Sequence, residues 1–448
     1  MATTTARASI DHARVQHLAG ERVGWRDKAI PPAFWGQTVA EVLRAAPRLS
    51  DLPTPLFTLS APAMAANIAA LADWCDERGM SLAPHGKTSM APALWTQQLA
   101  AGAWAITVAN LAQLFIARAF GVSRVMVANA IISPLGLRWI ADELATHPSV
   151  QILTWADSLD TVTLMDEALT SHAAEHPDTV FRQVDVLVER GGPHGRTGAR
   201  DESTSIEIAK AVAATTTLRL AGVAGYEGAL AHETDATSLQ TVRGYLRDMA
   251  ALHVHIDALD LYSRDVTPVV TAGGSAYFDL VADELEALMV GGTRVVLRPG
   301  AYVAHDDGFY RHVSPLGAQP RTTGSRLVTA MHGWVRITSQ PERGLALFDA
   351  GKRDLPFDEG LPEPQLLRPR VPGEPTRTLT GLVVSQLNDQ HGFLRFSPTG
   401  PAPVRIGDEL RLGLSHPCTA FDKWGLIPVI DDPDSPDPLV VDLLRTFF

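Results

Sequence analysis

Two cysteines in 448 residues, Cys75 and Cys418, are too few for a disulfide framework, and their wide separation fits a reducing compartment. No stretch of eighteen apolar residues occurs, so nothing reads as a membrane-spanning helix. The first twenty residues carry Arg7, His12, Arg14 and His17 and no apolar run, which excludes a secretory signal there. Runs of Lys or Arg are also missing, and the formal net charge is −12. Neither a nucleic acid nor a membrane surface is expected as a partner, and a small anion needs a local site. These absences predict a soluble cytoplasmic protein.

What is present is material for a large core, with 46% apolar and 20% charged residues. Short β-branched runs at 82–84, 105–108, 125–128, 152–155, 184–189, 220–225, 269–271 and 295–298 read as buried strands. Helical segments such as 157–174 and 203–214 lie between them, with Asp157 and Ser203 as expected N-caps. Strands alternating with helices imply parallel pairing, and eight such units imply a closed (β/α)8 barrel. An open doubly wound sheet is the alternative, but no dinucleotide fingerprint follows the first strand.

Beyond Gly300 the pattern changes to strands at 328–337, 345–349, 378–384, 392–396 and 409–414, separated by turns. The Pro- and charge-rich stretch 355–375 reads as a loop, and with 306–326 it is long enough for an insertion or lid. The predicted organisation is an extension over 1–50, an α/β barrel over 51–305 and a mainly β domain over 306–448. The strand 54–59 and helix 61–78 precede the barrel proper and could belong with the C-terminal region.

Three groups of residues carry chemistry. Lys87, in Pro84-His85-Gly86-Lys87-Thr88, follows the first barrel strand, where barrel enzymes keep their catalytic groups. Desolvation there would lower its pKa, the condition for a Schiff-base lysine, whereas a lysine merely snorkelling from a strand end has no such role. Gly273, Gly274 and Ser275 follow the seventh strand, where a backbone free of side chains can approach a phosphate; an ordinary turn is the plain alternative. His416 and Cys418, two residues apart on what reads as an extended segment, point to one side and can grip one metal ion with positions left open. Tyr226 and Tyr302 end the sixth and eighth strands, where each could contact a cofactor or simply pack.

In order and spacing, Thr54-Pro55-Leu56, Pro84-His85-Gly86-Lys87-Thr88, Gly195-Arg196-Thr197-Gly198, Gly273-Gly274-Ser275, Arg298-Pro299-Gly300-Ala301-Tyr302 and His416-Pro417-Cys418 form a series. It resembles the fold-type III pyridoxal-phosphate enzymes, the alanine-racemase-like barrels, in the branch of D-serine dehydratase and D-threonine aldolase. The resemblance implies that Lys87 carries pyridoxal 5'-phosphate, that Arg196 lies beside its ring, and that His416 and Cys418 bind a divalent metal. His391, in Asn388-Asp389-Gln390-His391-Gly392, is implied as an acid or base near that metal. A thiolate ligand favours Zn²⁺ over harder ions. The expected activity is a D-serine dehydratase-like lyase acting on a β-hydroxy D-amino acid, releasing ammonia and a keto acid. A D-threonine aldolase-like cleavage uses the same parts; a racemase or a non-catalytic pyridoxal-phosphate-binding protein are further alternatives. A homodimer is expected from the resemblance. One departure stands at Ala109-Asn110-Leu111-Ala112-Gln113, where relatives tend to carry threonine and glutamates.

Overall fold

The computed structural model describes residues 7–371 and 373–448. Eight strands, Ser81–Leu82, Ile106–Val108, Arg124–Val127, Gln151–Ala156, Val184–Arg190, Leu218–Gly225, Val269–Ala272 and Arg294–Leu297, pair in parallel in chain order, the first also beside the last. A parallel bridge between His85 and Thr107 joins the first strand to the second and closes the cylinder. The expected barrel is therefore present, with every strand where the β-branched runs predict it. Its interior is filled by Ala83, Met126, Leu153, Trp155, Leu187 and Val296, while the outward faces pack on helices, so both faces are apolar.

Helix starts differ from expectation by a residue or two. Ser158, not Asp157, caps Leu159–Glu175 by accepting from Thr161 N at 3.1 Å, and Asp157 instead receives the Thr161 hydroxyl. Asp201, not Ser203, caps Glu202–Ala214 because its carboxylate reaches the Thr204 amide at 2.8 Å.

The strand Leu56–Ser60 pairs antiparallel with Met331–Glu342 and parallel with Leu426–Ile430, inside the sheet of the C-terminal domain. It thus pairs outside the barrel, in the C-terminal sheet, as one of the two readings of this segment expected. The following helix, Ala61–Glu77, returns to the barrel, where the Asn67 amide donates to Val303 O at 3.2 Å and Val328 O at 2.7 Å. The β domain gains three strands that the sequence reading missed: Glu363–Arg368, Leu426–Ile430 and Val440–Arg445. The first lies within the supposed loop 355–375; it pairs with Glu409–Gly413 through a register shift at Pro364, which lets a proline enter a strand. The stretch 378–384 splits at Gly381, whose φ of +74° turns the chain.

Within the extension, Arg445 pairs with Glu21 at 2.9 Å and Asp27 at 2.7 Å, while Asp11 N donates to Phe120 O on the barrel. It therefore touches both domains; residues 1–6 lie outside the described residues. No helix among the described residues is long and apolar enough to cross a membrane.

Candidate active site

The short turn Gly86–Thr88 follows the first strand and brings Lys87, half-buried, to the C-terminal mouth of the barrel. Burial lowers its pKa; Cys418 opposes that shift, and the charges of Arg196 and Arg298 add to it. Arg298, at the end of the eighth strand, is buried and held by neutral groups. It donates to Thr271 Oγ1 at 2.6 Å and Gly225 O at 2.7 Å and lies over the Trp155 ring. Glu189 ends the fifth strand: one carboxylate oxygen accepts from the Thr197 hydroxyl at 2.8 Å, and the other is buried without a hydrogen-bond partner. Burial raises its pKa. Arg298 stood in a quoted motif without a role, and Glu189 only as a strand end; no spacing rule marked either.

The β domain supplies the opposite wall. Cys418 Sγ lies 3.3 Å from the Thr88 hydroxyl, so the two domains meet one residue from Lys87. The segment before it is not extended: His416 has φ +57°, Pro417 is helical, and Cys418 opens the short helix Cys418–Phe421. The two side chains nevertheless lie close enough for each to shift the pKa of the other. The period-two argument for this pair is therefore replaced by a tight turn. Asp306 holds that turn, its carboxylate accepting from the amides of His416 at 2.9 Å, Tyr310 at 2.8 Å and Gly308 at 3.1 Å. Burial raises the Asp306 carboxyl to about 6 despite these bonds.

The His416 Nδ1 is 2.6 Å from Asp358, which also receives the Thr419 hydroxyl at 2.7 Å. Burial works to lower the His416 pKa, but Cys418 and Asp358 outweigh it and bring it to about 9. For Cys418, burial raises the pKa, while the hydrogen bond and charge of His416, with Thr88 and Lys87, lower it overall. Each side chain thus favours the charged form of the other. Asp358 sits in the Pro-rich stretch read as a loop, where nothing in the sequence singled it out.

The remaining candidates divide. Arg196 is exposed, with its guanidinium 4.7 Å from the Tyr226 ring, and its charge acts on both Lys87 and Tyr226. Burial raises the Tyr226 phenol to about 12. The amides of Gly273 and Gly274 donate to the two oxygens of Glu227 at 2.9 and 2.8 Å, so the chain's own buried carboxylate takes the donors expected for a phosphate. Gly273 is required on other grounds: its φ is +92°, and a Cβ would stand 2.7 Å from Leu297. Ser275 Oγ accepts from Ala301 N at 3.2 Å, which leaves its proton free to donate. Tyr302 turns away from the mouth; it is buried and its hydroxyl accepts from Gln98 at 2.9 Å, a core role. His391 is exposed at the turn before Gly392–Arg395, and no side-chain bond among the described residues joins it to the cluster. At the departure, Asn110 caps Leu111–Ala119 and Gln113 accepts from Ala109 N, which is local helix chemistry.

The cluster fits the groups that the sequence implies. Its cations Lys87, Arg196 and Arg298 suit a phosphorylated, anionic cofactor. The unpartnered Glu189 oxygen and the buried, unpartnered Nδ1 of His85 offer polar sites at the same mouth. A metal is suited as well: Asp358 occupies Nδ1, which leaves Nε2 of His416 as the possible ligand atom, with the Cys418 sulfur two residues away. An open cavity of about 740 Å³ elsewhere, lined by Asp11, Arg14, Phe115 and Trp139, contains none of these residues.

Residues 330–430 match a family described as "Putative serine dehydratase domain". The chain is 25% identical to a D-threonine aldolase of an Arthrobacter species over 404 residues, 90% of this chain and 93% of that one. The crystal structure of D-threonine aldolase from Filomicrobium marinum shares the fold with a TM-score of 0.70 at 21% identity, covering 90% of this chain and 96% of that one. D-threo-3-hydroxyaspartate dehydratase from Delftia sp. HT23 does so with a TM-score of 0.67 at 20% identity, covering 89% and 99%. A cysteine-to-alanine variant of a D-threo-3-hydroxyaspartate dehydratase has been solved in the metal-free form.

Proposed function

From homology to D-threonine aldolase, on a fold of the alanine-racemase-like group, we propose that this chain is a pyridoxal-phosphate-dependent lyase for β-hydroxy D-amino acids. Its reaction is the D-serine dehydratase-like elimination that yields a keto acid and ammonia. The observation that carries this reading is the 3.3 Å approach of Thr88, next to Lys87, to Cys418 from the other domain. A base and a pair of metal ligands thereby address one small volume, as removal of an α-proton and a β-hydroxyl requires.

Lys87 would carry the cofactor, and its lowered pKa favours the neutral amine that can take the α-proton. The Ser275 hydroxyl would donate to the phosphate, Arg298 supplies a buried positive charge, and Arg196 on Tyr226 walls the cleft. When bound, pyridoxal phosphate supplies an electron sink for the charge left at Cα. His416 and Cys418 would hold a divalent ion, zinc by the softness of the thiolate, with Asp358 fixing the imidazole. The ion supplies Lewis acidity at the β-hydroxyl. A homodimer acting in the cytoplasm completes the reading, and light scattering should report about twice the 48.2 kDa chain mass.

The second reading, D-threonine aldolase-like cleavage, is favoured by 25% identity to such an enzyme along 90% of the chain. D-Threonine separates the two. Elimination gives ammonia and 2-oxobutyrate, whereas retro-aldol cleavage gives glycine and acetaldehyde. Glycine as the main product would transfer the assignment to the aldolase; neither product from any β-hydroxy D-amino acid would end both.

A further inference from the structure

The helix Leu159–Glu175 follows the fourth barrel strand, so its C-terminal end lies at the face opposite the mouth that holds Lys87. There His172, Glu175 and His176 each bring one ligand-type atom to within 4.8 Å of the others. The spacing is i, i+3, i+4, which puts all three on one side of a helix turn.

The hydrogen bonds of the two rings leave one lone pair on each. His172 is 5% exposed; its Nε2 is bonded to Asp142 at 2.7 Å, and its Nδ1 is buried with no partner. His176 Nδ1 meets the carbonyl of His172 at 3.0 Å, leaving Nε2. A ring nitrogen that faces an oxygen acceptor carries the proton, so the opposite nitrogen is the ligating one, the arrangement that outer partners impose on metal-bound imidazoles. The rings are 4.5 Å apart between centroids, and Phe181 covers them, 5.1 Å from His172. Glu175 contacts Arg138 at 3.3 Å through Oε1. The negative end of a 17-residue helix also favours a cation at this place.

We propose that His172, Glu175 and His176 form a second divalent-metal site, remote from the barrel mouth and independent of the reading of His416 and Cys418. Two imidazole nitrogens and one carboxylate oxygen suit zinc, cobalt or nickel, with a fourth position open to water. Its consequence is structural: an ion bound here fastens the last turn of the helix and, through Asp142, its neighbour Pro134–Thr146.

Cobalt(II) titration of the chelator-treated holoenzyme tests this, because a nitrogen–oxygen site lacks the sulfur-to-cobalt absorption of a thiolate site. Besides any thiolate-bound cobalt, wild type should take up a component without that absorption, with a dissociation constant well below about 1 mM. His176→Ala should lose this component, and His416→Ala should keep it. His176 is exposed, so the variant should fold with an unchanged metal-free Tm. Saturating zinc should raise the Tm of wild type and His416→Ala by about 2 °C or more, and that of His176→Ala by less. Equal cobalt uptake and equal zinc shifts in His176→Ala and wild type, or binding weaker than about 1 mM, would overturn the site. Failure of the thiolate component alone bears on Cys418 and leaves this proposal standing.

Discussion

The His416 Nδ1 and the Asp358 carboxylate lie 2.6 Å apart, although 58 residues separate them in the chain. Asp358 thereby sets which ring nitrogen faces Cys418. Its removal should loosen a bound ion without touching the cofactor pocket. Asp358→Asn should lower zinc affinity about 10–100-fold, measured by competition with a chromogenic chelator, while the pyridoxal-phosphate absorbance stays as in wild type. Unchanged zinc affinity would remove Asp358 from the site.

Lys87 is expected to hold pyridoxal phosphate covalently. Borohydride treatment should fix the cofactor on the peptide containing Lys87, as mass spectrometry would show. Lys87→Ala should reduce turnover by about a hundredfold to ten-thousandfold with little change in Tm, since this mouth residue is only half-buried. A label on another lysine would displace the central assignment.

Glu227 binds the loop Ala272–Ser275 through two amides, and both bonds are removed in Glu227→Ala. Each amide left buried without an acceptor costs about 1–3 kcal/mol, so the denaturation midpoint should fall. Cofactor affinity should fall with it, because Ser275 rides on the same loop. In Glu227→Gln one amide keeps an acceptor, and both effects should be smaller. A Glu227→Ala protein as stable as wild type would show that the loop is held by other means.

Acid should weaken the fold through His332. Burial, with the charge of Arg411, lowers its pKa from the ordinary 6.5 to about 3. Between those values the unfolded chain binds a proton that the folded chain excludes. The stabilising contribution is therefore complete above pH 6.5 and is lost as pH falls toward 3. Urea midpoints at pH 7 and pH 4.5 should differ more in wild type than in His332→Gln. Equal differences would assign the acid sensitivity elsewhere, for instance to His305, lowered to about 4.

The barrel was legible because its signal is local: each strand is a short apolar run, and the parallel sheet demands that character on both faces. At the mouth, the residues singled out from the sequence, Lys87, His416 and Cys418, do lie together, because each stands beside a strand end or turn that the local pattern marks. Asp358, Asp306 and Glu227 were not singled out, because each acts by reaching a distant backbone or ring that no spacing in the sequence connects. Tyr302 misled for the converse reason. A strand end places its backbone at the mouth, but the side chain followed Gln98 into the core. The sheet strands Leu426–Ile430 and Val440–Arg445 were missed in the Pro- and Asp-rich tail, where turn signals dominate the composition.

The strand Leu56–Ser60 lies between Met331–Glu342 and Leu426–Ile430, so a segment near the start of the chain is enclosed by two from its far end. A ribosome releases it long before either neighbour exists. The barrel, complete once Leu297 has emerged, can begin to assemble while this strand waits unpaired. Cutting the chain between the domains would leave an open slot in one fragment and a loose β-strand on the other. Neither half alone therefore holds a complete sheet: one lacks the central strand and the other lacks that strand's partners.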